Sequence, residues 1–213
     1  MQIQLLNVIP EPLADNPISK NSVWGNKIEI NSHQKIILNA VSGKGKSTLI
    51  SFLSGVRHDF NGDILFDKTS IKTLSLTEWI TLRQTKISTI YQDLKLFENL
   101  TVEENIIVKN KLTQHFSDKK IKDYIVKAGL KNEINKKAGH LSYGQKQRVA
   151  IIRALAQPFE LLLLDEPFSH LDIDNQNIMI EMIEDEVKLN HAGFILTSLN
   201  NAHSINYEKE LFL

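Results

Sequence analysis

Alternation of hydrophobic and polar residues near the N-terminus predicts short strands joined by turns. Ile3 and Leu5 alternate with glutamines, and Ile28 and Ile30 alternate with polar or charged neighbours, so each pair is typical of a half-exposed strand. The sequence GDILFD at 62–67 predicts another short alternating strand. The segment between the first two strands is rich in proline and asparagine and is therefore predicted to be a loop.

Continuous apolar runs farther along the chain predict strands that are buried. Residues 161–164 are four consecutive leucines, which is the pattern of a strand covered on both faces. Residues 36–38 and 193–197 show similar runs, and a further strand is predicted to end at Gln92. Strands of this kind, separated by helices, indicate an α/β core with a mostly parallel sheet.

Helical spacing is found between these strands. Leu49, Phe52, Leu53 and Val56 fall at positions i, i+3, i+4 and i+7, and so predict a helix after the first buried strand. The lysine-rich segment 100–138 predicts amphipathic helices whose charges are solvated.

A longer amphipathic helix is predicted over residues 174–188. Its apolar residues are expected to face the core, and its acidic residues are expected to face solvent. The inward set is Met179, Met182, Ile183 and Val187, and the outward set is Glu181, Glu184, Asp185 and Glu186. Because the acids lie opposite the apolar stripe, we interpret them as a solvated face and not as a metal site.

The stretch 141–172 carries three chemical devices in a fixed order. Ser142 is a natural N-cap that opens a helix, and the free N–H groups at a helix start can bind an anion. The leucine strand then ends in Asp165 and Glu166; one carboxylate can hold Mg²⁺, and the next can orient or deprotonate a water. The sequence Ser-His-Leu-Asp follows directly at 169–172.

This succession resembles the signature, Walker B and D-loop motifs of ATP-binding cassette (ABC) ATPases. The resemblance predicts a phosphate-binding loop upstream, and NAVSGKGKST at 39–48 follows the first buried strand. Its glycines allow a nest of backbone N–H donors, Lys46 reaches the β- and γ-phosphates, and the Ser47 hydroxyl is a ligand for Mg²⁺. The predicted nucleotide contacts in this loop are Ser42, Gly43, Lys44, Gly45, Lys46, Ser47 and Thr48.

The resemblance covers essentially the whole chain and implies one ABC ATPase domain over residues 1–213. The implied fold is a P-loop NTPase core with a mostly parallel sheet, a flanking antiparallel β subdomain, and an α-helical subdomain at about 94–157. The sequence after Gln92, LKLFENLTVEENI, resembles the Q-loop region of the branch that serves lipoprotein-release, macrolide and cell-division systems.

The resemblance also implies roles for individual residues. Glu166 is expected to polarise the attacking water, with Lys46 and Gln92 as the other catalytic residues. The implied Mg²⁺ ligands are Ser47, Gln92 and Asp165. The signature residues Ser142, Gly144 and Gln145 are the implied contacts to the ATP held by a second subunit, and Asp172 is a further implied nucleotide contact.

Several family features are changed in this sequence. The first glycine of the phosphate loop is Ala40, whose methyl group would cost on the order of 1 kcal/mol if its φ were positive. Residues 1–23 contain no aromatic residue, so the usual platform for adenine is absent there. We interpret Trp24 as a packing residue, with Pro12 or Leu13 as alternatives that would cover the base by apolar contact. His170 replaces a small D-loop residue and is expected to be exposed.

The family places a switch histidine immediately after the last buried strand, where this chain has the sequence Ser-Leu-Asn. His203 lies downstream on the next predicted helix and His191 precedes the strand, so both are interpreted as surface histidines. Ser198 or Asn200 would donate a weaker hydrogen bond, without a charge that can switch.

Composition limits the classes of function. The 213 residues suffice for one α/β domain, and 25 basic residues balance 25 acidic ones, so nucleic acid is not an expected partner. The absence of cysteine excludes disulfides and thiolate chemistry. No apolar run approaches the roughly 20 residues of a membrane span, and the N-terminus does not resemble a signal peptide. A cytoplasmic chain without direct membrane insertion is therefore expected.

Three hypotheses for function follow from the resemblance. The leading one is an ATPase, with ATP and Mg²⁺ as cofactors, that couples closure of a homo- or heterodimer to a transmembrane permease at the inner face of the membrane. The second is a nucleotide-gated binding module with weak or no hydrolysis, against which the presence of Glu166 argues. The third is a soluble ABC ATPase of DNA repair or translation. That class usually has a coiled-coil insertion or a second cassette, and this sequence has neither.

Overall fold

Two sheets organise the structure, a computed structural model that describes residues 1–15, 17–41, 43–198 and 205–213. The strands are β1 (Gln2–Pro10), β2 (Lys27–Asn31), β3 (Lys35–Asn39), β4 (Phe60–Phe66), β5 (Thr69–Ser70), β6 (Ile87–Ile90), β7 (Leu161–Asp165), β8 (Gly193–Ser198) and β9 (Lys209–Phe212). Over these ranges one sheet has the order β2-β1-β4-β5 and is antiparallel, and the other has the order β6-β7-β8-β3-β9 and is parallel. The predicted α/β fold with a flanking antiparallel sheet is confirmed.

Helices cover the parallel sheet and form a group of their own beside it. They are α1 (Lys46–Leu53), α2 (Leu76–Thr85), α3 (Val102–Asn110), α4 (Asp118–Lys127), α5 (Tyr143–Leu155) and α6 (Ile173–Leu189). Helix α5 packs against α3, α4 and α6. In the described part of the chain, no helix combines the length and the apolar character that crossing a membrane requires.

The sheet order decides which loops meet. Strand β8 lies between β3 and β7 and is parallel to both, with Thr197 opposite Leu38 on one side and Asp165 on the other. The carboxyl ends of parallel strands share one edge of a sheet, and ligands of open α/β sheets bind outside that edge. The loop after β3 and the carboxylates at the end of β7 are therefore brought together.

The helix after the phosphate loop is shorter than its apolar spacing predicted. Helix α1 ends at Leu53, so the prediction that the helix includes Val56 was wrong, and Val56 is 57% exposed. Gly55 follows with a φ of 68°, a left-handed conformation that commonly ends helices. The strand predicted to end at Gln92 is also shorter, since β6 ends at Ile90.

Glu186 on α6 is buried, which corrects its prediction as a solvated residue. Its carboxylate is 1% exposed and accepts a hydrogen bond from the Tyr124 hydroxyl at 2.5 Å, while Lys120 Nζ lies 2.5 Å from the same oxygen. His115 Nε2 is 3.8 Å from the other oxygen. Burial raises the pKa of Glu186, but these three neighbours outweigh burial, and the pKa lies below its ordinary value. Glu186 thus joins α6 to α4 and the loop before it.

Replacing Glu186 with alanine should lower the free energy of unfolding by about 2–3 kcal/mol, because Lys120 and Tyr124 lose a shared buried partner. Chemical denaturation of both proteins at pH 7 measures the difference. The matched control is Glu181→Ala on the same helix, since the Glu181 side chain is 63% exposed and its loss should change stability by less than about 0.5 kcal/mol.

The contribution of Glu186 should also depend on pH in one direction. A carboxylate whose pKa is lowered by folding stabilises the protein above its unfolded pKa, and that stabilisation is lost as the pH falls through the folded pKa. The stability gap between the wild type and Glu186→Ala should therefore narrow below about pH 4. A gap that stays constant from pH 7 to pH 3 would contradict a charged Glu186.

Candidate functional site

The phosphate loop joins β3 to α1 in a conformation that depends on glycine. Gly43 and Gly45 have φ values of 81° and 98°, and Gly45 is the N-cap of α1. Ala40 does not have a positive φ, so the strain considered for its methyl group does not arise. The carbonyl of Ala40 instead accepts a hydrogen bond from Lys46 Nζ at 2.9 Å. Ser42, a predicted nucleotide contact, lies outside the described residues.

Trp24 packs against the phosphate loop, which confirms its interpretation as a packing residue. It is 4% exposed, and its indole Nε1 donates to the Lys44 carbonyl at 3.0 Å. A Cβ added to Gly45 would lie 3.1 Å from the Trp24 ring and 3.2 Å from Leu13 Cδ1. Position 45 therefore favours glycine for two reasons: its backbone is left-handed, and Trp24 leaves little room for a Cβ.

Two carboxylates stand at the end of β7 opposite the loop. Asp165 is buried, whereas Glu166 is partly exposed and has a φ of 49°, a strained value for a residue with a side chain. Glu166 Oε1 lies 3.7 Å from Lys46 Nζ. The structure therefore brings together the residues predicted for phosphate binding and for water activation.

Thr197 of β8 holds both carboxylate residues in place, a role that inspection of the sequence missed. Its hydroxyl donates to Asp165 Oδ1 at 2.8 Å and accepts from the Glu166 N–H at 3.1 Å. A threonine at a strand end carries no signal of its own, because the contact depends on β7 and β8 being neighbours.

The predicted metal ligands have compatible chemistry and share one cavity. The Ser47 hydroxyl donates to Gln92 Oε1 at 3.5 Å, and both residues line this cavity together with Asp165. A hydroxyl, an amide oxygen and one carboxylate form a hard oxygen donor set of the kind that Mg²⁺ accepts, with phosphate oxygens and water completing its shell. The residues present fit Mg²⁺ as it is bound beside a nucleotide.

A second cavity of about 340 Å³ runs along the phosphate loop and shares Ser47 and Gln92 with the first. Its described lining includes loop residues Gly43, Gly45, Lys46, Ser47 and Thr48, and also Glu166, Pro10, Pro12, Leu13 and Arg57. Pro12 and Leu13, the residues predicted to cover the base, thus line the same cavity as the phosphate loop. Arg57 is an addition that the sequence did not indicate.

The predicted signature residues lie at the start of α5. Ser142 caps the helix by accepting from the Gln145 N–H at 3.3 Å, and Gln145 Oε1 accepts from the Ser142 N–H at 3.0 Å, so the predicted N-cap is confirmed. A Cβ on Gly144 would lie 2.9 Å from the His170 carbonyl oxygen, so the helix start packs tightly on the D-loop.

Asp172 caps the following helix rather than lining either cavity. Its Oδ1 accepts from the Asn175 N–H at 2.9 Å, and hydrogen bonds from Asn175 lower the pKa of Asp172. Neither Asp172 nor the predicted contacts Ser142, Gly144 and Gln145 are among the described residues that line the cavity of Lys46. These four predicted nucleotide contacts therefore lie outside that cavity in this chain.

Tyr143 lies in the signature motif and contacts Gln92 of the candidate site. The sequence did not indicate this contact. The Tyr143 hydroxyl donates to the Gln92 carbonyl at 2.8 Å, and the Tyr143 ring lies 4.3 Å from that of His170, centroid to centroid. His170 is exposed, as expected, but its ring is engaged by Tyr143 and its Nδ1 is 2.9 Å from Ser169 Oγ.

The predicted surface position of His191 is confirmed, since it is exposed and its carbonyl accepts from His33. The switch position cannot be compared in the same way, because residues 199–204, including Asn200 and His203, and the side chain of Ser198 lie outside the described structure.

The fold and the site define an α/β nucleotide-binding protein with a phosphate-binding loop between a strand and a helix. A family model described as ABC transporter matches residues 25–169, about two thirds of the chain. The protein therefore belongs to the ABC transporter family, as an ATP-binding domain of the ABC ATPase class.

Named relatives agree with this membership. The chain is 36% identical over 172 residues to the lipoprotein-releasing system ATP-binding protein LolD of Buchnera aphidicola, covering 79% of this chain and 73% of LolD. It is 34% identical over 173 residues to the putative hemin import ATP-binding protein HrtA of Staphylococcus epidermidis, covering 79% and 78%. The match to LolD agrees with the family branch that the Q-loop region resembles.

A solved structure of similar fold is the dimeric post-hydrolysis state of the ATP-binding cassette MJ0796 bound to ADP and Pi. The TM-score is 0.82, the sequences are 22% identical, and the match covers 99% of this chain and 94% of that one.

Replacing Thr197 with valine should lower kcat for ATP hydrolysis about tenfold, with KM changed less than kcat, because Asp165 and Glu166 lose the hydroxyl that positions them. Steady-state hydrolysis assays give both constants. Thr89→Val makes the same chemical change on β6, opposite Leu163, and serves as the control. An unchanged kcat in a folded Thr197→Val protein would show that Thr197 does not position the carboxylates.

Proposed function

We propose that this chain is the ATP-hydrolysing subunit of an ABC transporter or transporter-like complex, in which closure of an ATP-bound dimer drives a separate transmembrane permease. The observation that carries the proposal is the convergence of Lys46, Glu166 and Gln92 at one edge of the parallel sheet. Phosphate-binding, water-activating and metal-binding groups are thereby combined in one site.

The proposed chemistry assigns one task to each group of residues. Lys46 and the N–H groups of residues 43–48 bind the phosphates, and Glu166 accepts a proton from, or orients, the attacking water. Ser47, Gln92 and Asp165 hold Mg²⁺, which neutralises charge on the transferred phosphoryl group when bound. The strained backbone of Glu166 and the hydrogen bond from its N–H to the Thr197 hydroxyl keep the carboxylate directed at this point.

A second subunit supplies the remaining contacts in this proposal. Ser142, Gly144, Gln145 and Asp172 do not line the cavity of Lys46 in their own chain, and in this proposal the start of α5 turns its positive dipole end toward the nucleotide of a second subunit. Two chains that face each other would each place this helix start against the γ-phosphate bound by the partner.

We propose one cassette domain over residues 1–213 with a helical subdomain at about 94–157. The relatives named LolD and HrtA belong to transport systems, and this supports a permease as the partner and a position at the inner face of the cell membrane. Because the substrate is chosen by the permease, the proposal concerns the motor and not the transported molecule.

Hydrolysis of ATP by the purified chain should require Mg²⁺, and Glu166→Gln should lower kcat by about 10²–10³-fold while ATP still binds. Lys46→Ala should weaken ATP binding itself, because it removes a cation that contacts the phosphates. Glu166→Gln should accumulate as an ATP-bound dimer, which light scattering after size-exclusion chromatography measures. Glu181→Gln on the exposed face of α6 is the control.

Two results would contradict the proposal. If the chain together with its permease hydrolyses no ATP, yet dimerises when ATP is added, the protein is a nucleotide-gated binding module. Hydrolysis that is equal in the wild type and Glu166→Gln would show that Glu166 is not the group that activates water.

A further inference from the structure

The part of the cavity beyond the phosphate loop differs from a pocket built around an aromatic platform. Its described lining contains no phenylalanine, tyrosine or tryptophan, and Trp24 is buried beneath the loop. Pro12 and Leu13 supply apolar surface on one wall. A base covered by these residues alone would have no charged or π-bearing group against it.

Arg57 lines the same cavity from another element. It follows α1, the helix whose N-terminus carries the phosphate loop, so it lies past the C-terminal end of that helix. Eight helical residues rise about 12 Å, which separates Arg57 from the loop that binds the phosphates. Because Lys46 and Arg57 line one cavity, a nucleotide anchored at Lys46 has a continuous space in which its base can reach Arg57.

The guanidinium of Arg57 is held in one orientation by Asp59. Nε donates to Asp59 Oδ1 at 2.9 Å, and a second nitrogen donates to Oδ2, so the pair is bidentate. The group also lies 5.8 Å from the centre of the Phe52 ring. The Asp59 carbonyl accepts from the Glu11 N–H at 3.0 Å, which ties this pair to the segment that carries Pro12.

This geometry suits recognition of a flat aromatic ligand. A guanidinium is planar, remains charged, and stacks on aromatic faces, and a carboxylate that occupies its edge leaves its face available. Arg57 is 38% exposed and lines the cavity, so part of its side chain is accessible there. By contrast, Lys46 and the loop N–H groups already serve the phosphates.

We propose that Arg57, fixed by Asp59, is the platform on which the purine base of ATP stacks, with Pro12 and Leu13 of the same cavity adding apolar contact. The inference deepens the proposed function, because it rests on ATP binding at this cavity. It assigns base recognition to a cationic residue after α1, in place of an aromatic residue near the N-terminus.

The test compares ATP with inorganic tripolyphosphate, which has the phosphates but neither base nor ribose. Isothermal titration calorimetry with Mg²⁺ present gives the Kd of each ligand for the full chain. Arg57→Ala should weaken ATP binding about 5–30-fold and change the Kd of tripolyphosphate less than twofold. Lys46→Ala should weaken both ligands, and Lys27→Ala, on the exposed face of β2, should change neither.

A conservative variant separates stacking from charge. Arg57→Lys keeps the cation but loses the planar group, so it should weaken ATP binding nearly as much as Arg57→Ala. Asp59→Asn should have a smaller effect in the same direction, because it frees the guanidinium to turn. Unchanged tripolyphosphate binding in each variant also shows that the phosphate loop is still folded.

Three outcomes would overturn the inference. Equal weakening of ATP and tripolyphosphate would place Arg57 on the phosphates, and full retention of ATP affinity in Arg57→Lys would show that charge alone matters. Unchanged ATP affinity in Arg57→Ala would leave Arg57 and Asp59 as a structural pair. If the wild type binds neither ligand, the proposed function fails first, and the inference fails with it.

Discussion

The candidate site depends on the parallel pairing of β8 with both of its neighbours. Because β3 and β7 end at the same edge of the sheet, the phosphate loop and the Asp165–Glu166 pair meet there although they are far apart in the sequence. Thr197 completes the arrangement from β8 through hydrogen bonds to both acidic residues. The strand order of the sheet therefore positions Glu166 opposite Lys46, and the geometry of the site depends on the packing of the sheet.

The features that the sequence predicted well are those with a local cause. Apolar runs mark the strands of the parallel sheet because such strands are covered on both faces. The phosphate loop is recognisable because nested N–H donors need Gly43 and Gly45 at fixed spacing before Lys46, and the N-cap at Ser142 is equally local. These local signals indicate the fold class and most residues of the phosphate half of the site.

The features that the sequence did not predict depend on contacts between elements. Helical periodicity assigns Glu186 to the solvent face of α6, but Lys120 and Tyr124 of α4 bind its carboxylate and bury it. Val56 fits the apolar spacing of α1, yet the left-handed Gly55 ends the helix before it. Arg57 lines the cavity while paired with Asp59, a contact that no spacing rule would single out.

The contacts around Tyr143 join the two halves of the chemistry within one chain. Tyr143 bonds the backbone of Gln92, whose side chain faces Ser47, and the next residue, Gly144, packs directly on the D-loop at His170. Gln147 extends the same unit, because its side chain accepts from the His170 N–H at 3.1 Å and donates to Ser169 Oγ at 3.0 Å. A displacement of Gln92 therefore reaches the start of α5 through a single hydrogen bond. In the proposed dimer, coupling between the nucleotide site and the start of α5 would therefore require no long path through the core.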